Sequence, residues 1–182
     1  MTRENFSRQA AFRGGGAWAY ALAGGVVAAV CGLLRALPDA FIMPVFGRVP
    51  AELAARYFNA ELQTPGLVFS VRGIAYELVR PCAATDFFSM VAGLFAYVVI
   101  EWRGSLSLKC AGLLAVFPAA WLATLFTNTL RIILLVPARA MVYSYFSERA
   151  YGVVQQGVGT VVFLTVFTVL WMGVRHVKRK AS

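Results

Sequence analysis

The chain has 182 residues, of which 60% are hydrophobic and only 14% charged; its mean hydropathy is +0.70. A soluble domain is about 45–50% apolar and about 25% charged, so this chain cannot cover a soluble surface and reads as one integral membrane domain, residues 1–182. The net charge of +9 lies between apolar runs rather than on one arm or helix face. That distribution argues against nucleic acid and fits the basic bias of cytoplasmic membrane loops.

In chain order, the first apolar run is Ala17–Leu34, preceded by Arg3, Arg8 and Arg13. It is long for a signal-peptide core and no small-x-small cleavage site follows, which predicts a retained first span. Its Gly and Ala content suits close helix packing. Residues 36–80 balance Arg48, Arg56, Arg72 and Arg80 against Asp39, Glu52, Glu61 and Glu77, and are expected as an extracytoplasmic loop region. Within them "AELAARYFNAEL" carries Leu53, Tyr57, Phe58 and Leu62 near helical spacing. "GLVFSVRGIAYELV" suits a short hairpin or an interfacial segment.

About 20 apolar residues span a bilayer. Three further runs qualify: Ala84–Ile100, Leu106–Phe126 with a kink expected at Pro118, and Gly152–Val174. The segment Asn128–Phe146 is apolar but interrupted by Arg131, Pro137 and Arg139. The predicted fold is all-α: a polytopic transmembrane helical bundle of about four full spans plus one re-entrant or interfacial helix. The N-terminal tail, the turn "EWRGSLSLK" and the tail "RHVKRK" are net positive. The positive-inside rule therefore places both termini in the cytoplasm of a plasma (inner) membrane. Cys82, Arg131 and Gln155 then all fall near the outer face.

Two residue types stand out at the ends of apolar runs. Cys82 follows Arg80 and Pro81, and proline is tolerated in a first helical turn. A helix N-terminus and a neighbouring arginine both favour thiolate over thiol. The alternative is a buried structural cysteine, which is the reading given to Cys31 and Cys110 inside their apolar runs. Arg131, in "TNTLRIILL", is costly in a membrane segment unless it is functional, or unless it snorkels to the headgroups. Asn128 lies three residues earlier, either on the same helical face or as the N-cap of that helix. Asp86, one turn beyond Cys82, is expected to pair with Arg131 or a substrate cation, or to act as a structural hydrogen-bonding group. His176, in the basic tail, reads as part of an anchor. No Cys/His cluster suggests a metal site, and no motif suggests a cofactor.

"PCAATDFFSMVAGLF", "TNTLRIILLV" and "VVQQGVGTVVFL", in that order, resemble the exosortase/archaeosortase family of membrane transpeptidases, nearest its exosortase K-type subgroup. The resemblance covers roughly residues 35–170. It implies a cysteine peptidase or transpeptidase with Cys82 as nucleophile and Arg131 as catalytic arginine. The implied partners, besides membrane lipid, are exported proteins with a hydrophobic C-terminal sorting tail. The family's histidine falls on Gln155, because Gly159 and Phe163 keep the spacing of H-x-x-x-G-x-x-x-F. Glutamine has no titratable nitrogen, and His176 lies 21 positions further along the same run. "CAA" also replaces the family's "CAG" or "CSG". Two other readings stay open: an impaired homologue that binds sorting tails, and a small transport or scaffold subunit whose Arg131 binds an anion.

Overall fold

The computed structural model describes residues 21–22, 24–64, 66–78, 84–101, 105–145 and 148–181. A helix α1 spans Gly24–Ala36. Pro38, extended at ψ 156°, ends that direction and opens α2, Asp39–Ile42. The chain then runs through a π-helical stretch, Met43–Arg48, into α3, Val49–Tyr57. Asp39–Tyr57 is turned 112° from α1. In a π-turn each carbonyl is taken by the N–H five residues on; for Val45 that residue is Pro50, which has no N–H. The Trp121 indole Nε1 donates to the Val45 carbonyl instead, at 3.0 Å.

A small antiparallel sheet follows, in the order β1 (Leu62–Gln63), β2 (Val68–Val71), β3 (Ile74–Glu77). Val71 pairs with Ile74, so Arg72 and Gly73 form a two-residue turn. Their φ angles are 52° and 80°, the two positive values that a hairpin of this length prefers and that glycine adopts without strain. The expected hairpin is therefore present, and the all-α expectation is corrected by it. Phe69, Tyr76, Leu67 and Leu78 form the sheet's buried face and pack on Ala51, Ala54 and Ala55 of α3.

Three long helices complete the chain: α4 (Thr85–Glu101), α5 (Leu106–Tyr145) and α6 (Glu148–Ala181). A second core lies among them and α1, with Leu34, Phe46, Phe87, Phe88, Val91, Val116 and Ala120 at its centre. A Cβ on Gly112 would lie 2.9 Å from a Val99 methyl, so the absence of a side chain there sets how closely α4 and α5 approach, as in helix pairs packed within lipid.

The sequence divides residues 106–146 into a span and a separate re-entrant helix, but α5 is one 40-residue helix with Pro118 and Pro137 inside it. At 1.5 Å per residue it is about 60 Å long, twice the hydrocarbon thickness. A proline inside a helix costs about 3 kcal/mol. Around Pro137 that cost is offset by docking onto the sheet. Ile132 and Val136 enter the sheet's core. The Tyr76 hydroxyl donates to the Val136 carbonyl at 3.1 Å, and Arg139 Nη1 donates to the Ala75 carbonyl at 2.8 Å.

Two described helices are long and apolar enough to cross a membrane: Ser107–Val142 within α5 and Gly152–His176 within α6. The bent pair α1 and Asp39–Tyr57 is a third candidate if it counts as one broken span. Helix α4 has 17 residues, about 25 Å, short of the roughly 30 Å of a hydrocarbon core. The described residues thus support two full spans, up to three, where four were expected. The molecule is mostly helical, and its two long apolar helices are consistent with a membrane protein.

Candidate functional site: a buried arginine between α5 and α6

Thr124, Thr127, Asn128 and Arg131 recur at helical spacing on α5 and form a polar stripe turned inward. The first three are fully buried, and Arg131 is 7% exposed. The threonines satisfy their hydroxyls locally: Thr124 Oγ1 donates to the Ala120 carbonyl at 2.8 Å and Thr127 Oγ1 to that of Ala123 at 2.6 Å. Two sequence expectations are corrected here. Asn128 is no N-cap, because α5 began 22 residues earlier at Leu106. Arg131 does not snorkel, because its neighbours enclose it.

Those neighbours come from α6. The Arg131 guanidinium lies over the Phe163 ring, 5.6 Å from the centroid, within cation–π range. Its Nε lies 3.0 Å from where a Cβ on Gly159 would be. Gln155, Gly159 and Phe163 are spaced four apart, so one stripe of α6 receives the arginine. Gln155 is half-buried. It lines a cavity of about 30 Å³ with Arg131, Ile132, Leu135, Tyr76, Glu77 and Leu78. Arg131 Nε and Nη1 are buried and meet no hydrogen-bond acceptor among the described residues. Buried charges are normally paired, and the described residues supply no acceptor for these two nitrogens.

Phe163 also stacks on Phe87, with centroids 4.9 Å apart, which ties the Arg131 neighbourhood to the start of α4. A cleft of about 360 Å³ opens there, lined by Ala84, Phe87, Met90, Phe163, Leu164 and Phe167 among others. Cys82 and Arg80 lie outside the described residues. The flanking chain does not: Leu78 on one side lines the Arg131 cavity, and Ala84 on the other lines the cleft beside Phe163. Ala84 has φ 56°, a left-handed backbone that favours glycine.

Asp86 is placed differently from the expectation. Its carboxylate pairs with Arg35 at 3.6 Å, with both side chains about 70% exposed or more, and Cys31 Sγ lies 4.0 Å from the same oxygen. It does not pair with Arg131. An exposed pair of this kind contributes about 0–1 kcal/mol. Cys31 is half-buried and Cys110 exposed, so the buried structural role expected of them does not hold for Cys110. His176 is exposed on α6, about 30 Å along that helix from Gln155. No group of three or more metal-ligating side chains occurs among the described residues.

Arg131 and Gln155, both singled out in the sequence, line the same small cavity. Sequence reasoning misses Glu77, which fronts the same cavity. The signal for it lay in the Arg72-Gly73 turn, which fixes the register of β3. Comparison with protein-family models, curated proteins and solved structures finds no match.

Proposed function

We propose that this membrane protein is an exosortase-like cysteine peptidase or transpeptidase acting on the C-terminal tails of exported proteins. The observation that carries the reading is the Arg131 centre. Its guanidinium is buried, Nε and Nη1 meet no acceptor among the described residues, it packs on Gly159 and Phe163, and it shares a cavity with Gln155 and Leu78, while Ala84 lines the neighbouring cleft beside Phe163. Ala84 is two residues from Cys82, a reach of at most about 7 Å. The positive φ of Ala84 also supports the resemblance, because the family's motif has glycine at that position.

In this reading the Cys82 thiolate attacks the tail's backbone carbonyl carbon, and a C–S bond forms. Arg131 stabilises the thiolate before attack and the oxyanion after it. The tetrahedral intermediate collapses, the C–N bond breaks, and the departing amine takes the proton released by the thiol. An incoming amine or water then cleaves the thioester and returns a proton to the sulfur. Gln155 cannot carry these protons, so they pass through solvent at the membrane surface.

The test is covalent trapping. Protein with Cys31→Ser and Cys110→Ser, co-expressed with exported proteins bearing hydrophobic basic-ended tails, should yield a thioester adduct at Cys82 by mass spectrometry. Cys82→Ala should abolish it. Tail processing that survives Cys82→Ala rules the thiol mechanism out.

A further inference from the structure

A charge enclosed by hydrocarbon needs a counter-charge, and two nitrogens of Arg131 lack one. The residue is 7% exposed, and a guanidinium stays protonated in proteins. Nε and Nη1 are buried and meet no acceptor among the described residues. The Phe163 ring, 5.6 Å from the guanidinium carbon, offers only the negative face of a neutral quadrupole. A second guanidinium, that of Arg139, lies 4.9 Å from the centroid of the Tyr76 ring, and Tyr76 lines the same cavity as Arg131. Among the described residues lining that cavity, Glu77 alone carries a carboxylate, and Glu77 is exposed. Two guanidiniums against one solvated carboxylate leave this corner of the molecule net positive.

The cavity that Arg131 lines measures about 30 Å³. A single water needs roughly 10–15 Å³, so one small ion fits, and a tetrahedral oxyanion such as sulfate or phosphate does not. Much of the wall is hydrocarbon, from Leu78, Ile132, Leu135 and the Tyr76 ring. The Tyr76 hydroxyl is already committed to the Val136 carbonyl at 3.1 Å. A water in the cavity would accept a hydrogen bond from the arginine but would leave its charge unbalanced, and buried charges are normally paired. Hydrocarbon walls cannot replace a tight hydration shell, so they favour an anion that holds its water loosely.

We infer that the cavity beside Arg131 is a binding site for one small, weakly hydrated inorganic anion of the halide class, held by the Arg131 Nε and Nη1 donors. Chloride and bromide combine the size and the loose hydration that the site requires, and fluoride is too strongly hydrated for these walls. The inference goes beyond the thiol reading and does not depend on it, because it uses only the charge, burial and volume at Arg131. Where both hold, the anion balances the guanidinium until the oxyanion of a reacting substrate replaces it.

The experiment uses the full-length protein in an uncharged detergent, with sodium chloride as the probe in a sodium sulfate background of fixed ionic strength. Binding is read as protein-dependent broadening of the chlorine-35 resonance, because chloride exchanging with a bound site relaxes faster. Sulfate occupies exposed basic side chains, so the broadening that remains belongs to a site sulfate cannot enter. Bromide should remove that broadening by competition, and fluoride should compete poorly. Arg131→Met should weaken chloride binding by about 10- to 100-fold, the range for losing a charged hydrogen-bond partner. Gln155→Glu keeps the shape of the side chain and sets a carboxylate on the cavity wall, so it should expel chloride with Arg131 still in place. An unfolding midpoint no lower than that of wild type in Gln155→Glu distinguishes lost binding from a misfolded variant. No broadening in wild type beyond the sulfate background would mean that the cavity holds water, and overturns the inference. Broadening unchanged in either variant, or sulfate displacing chloride as fully as bromide does, places the chloride elsewhere and overturns it too. Chloride binding at Arg131 in a protein that fails the covalent trapping test supports this inference and overturns the thiol reading alone.

Discussion

A guanidinium that is 7% exposed, with two buried N–H groups meeting no acceptor among the described residues, is a poor way to stabilise a fold. Replacing buried charge by apolar side chains of similar volume is often neutral or stabilising, by about 1–4 kcal/mol. Arg131→Met should therefore leave the unfolding midpoint in detergent unchanged or raised, while covalent adduct formation at Cys82 disappears. A fall of several degrees in the midpoint would show that the arginine is structural. Gly159 makes a complementary case. A Cβ there would stand 3.0 Å from Arg131 Nε, so Gly159→Ala must push the guanidinium aside. The same change gains about 1 kcal/mol of helix propensity. Under the proposed mechanism the expected result is Cys82 adduct formation slowed about 10-fold or more, since small misplacements of catalytic groups are costly, with no loss of thermal stability. An unchanged rate of adduct formation would mean that the arginine has room to retreat.

At the level of elements, the hairpin decides what α5 can be. The sequence shows apolar residues interrupted by Arg131, Pro137 and Arg139, and prolines and charges ordinarily end a membrane helix. What it does not show is that Tyr76 and Ala75 would meet the Val136 carbonyl and the Arg139 guanidinium from another element. That is a contact across about 60 positions, invisible to local pattern. The same limit explains Asp86, whose partner Arg35 lies on α1. Arg131 was legible because it interrupts an apolar run, and Gln155 only through the family spacing that Gly159 and Phe163 keep; that the two line one cavity was not readable from either. Tyr76→Phe tests the docking. It removes the hydroxyl's bond to Val136, which should cost about 0.5–1.5 kcal/mol. Faster hydrogen exchange confined to the β3 strand and residues 132–139 of α5 should accompany it. Exchange that accelerates evenly along α5 would mean that the sheet does not hold the upper helix.

Across the whole molecule, the length of α5 sets how the site lies against the membrane. A 40-residue helix overshoots the bilayer by about 30 Å, so one end must stand in water or headgroups. The end carrying the sheet, Arg139 and the Arg131 cavity is the more polar. The other end begins at Leu106, next to the net-positive sequence stretch 101–109 that carries Arg103 and Lys109. Basic segments stay in the cytoplasm, so the sheet and the cavity are expected to face outward, the side the proposed function requires. Both reporter positions for this arrangement are exposed: Ser70 on β2 and Ser105 before α5. With the native cysteines replaced, a single cysteine at Ser70 should react with a membrane-impermeant maleimide in intact cells. One at Ser105 should react only after permeabilisation. The reverse pattern would put the Arg131 centre on the cytoplasmic side, away from any exported substrate. In that case a cytoplasmic anion would be the better candidate for the acceptor that the described residues do not give Arg131 Nε and Nη1.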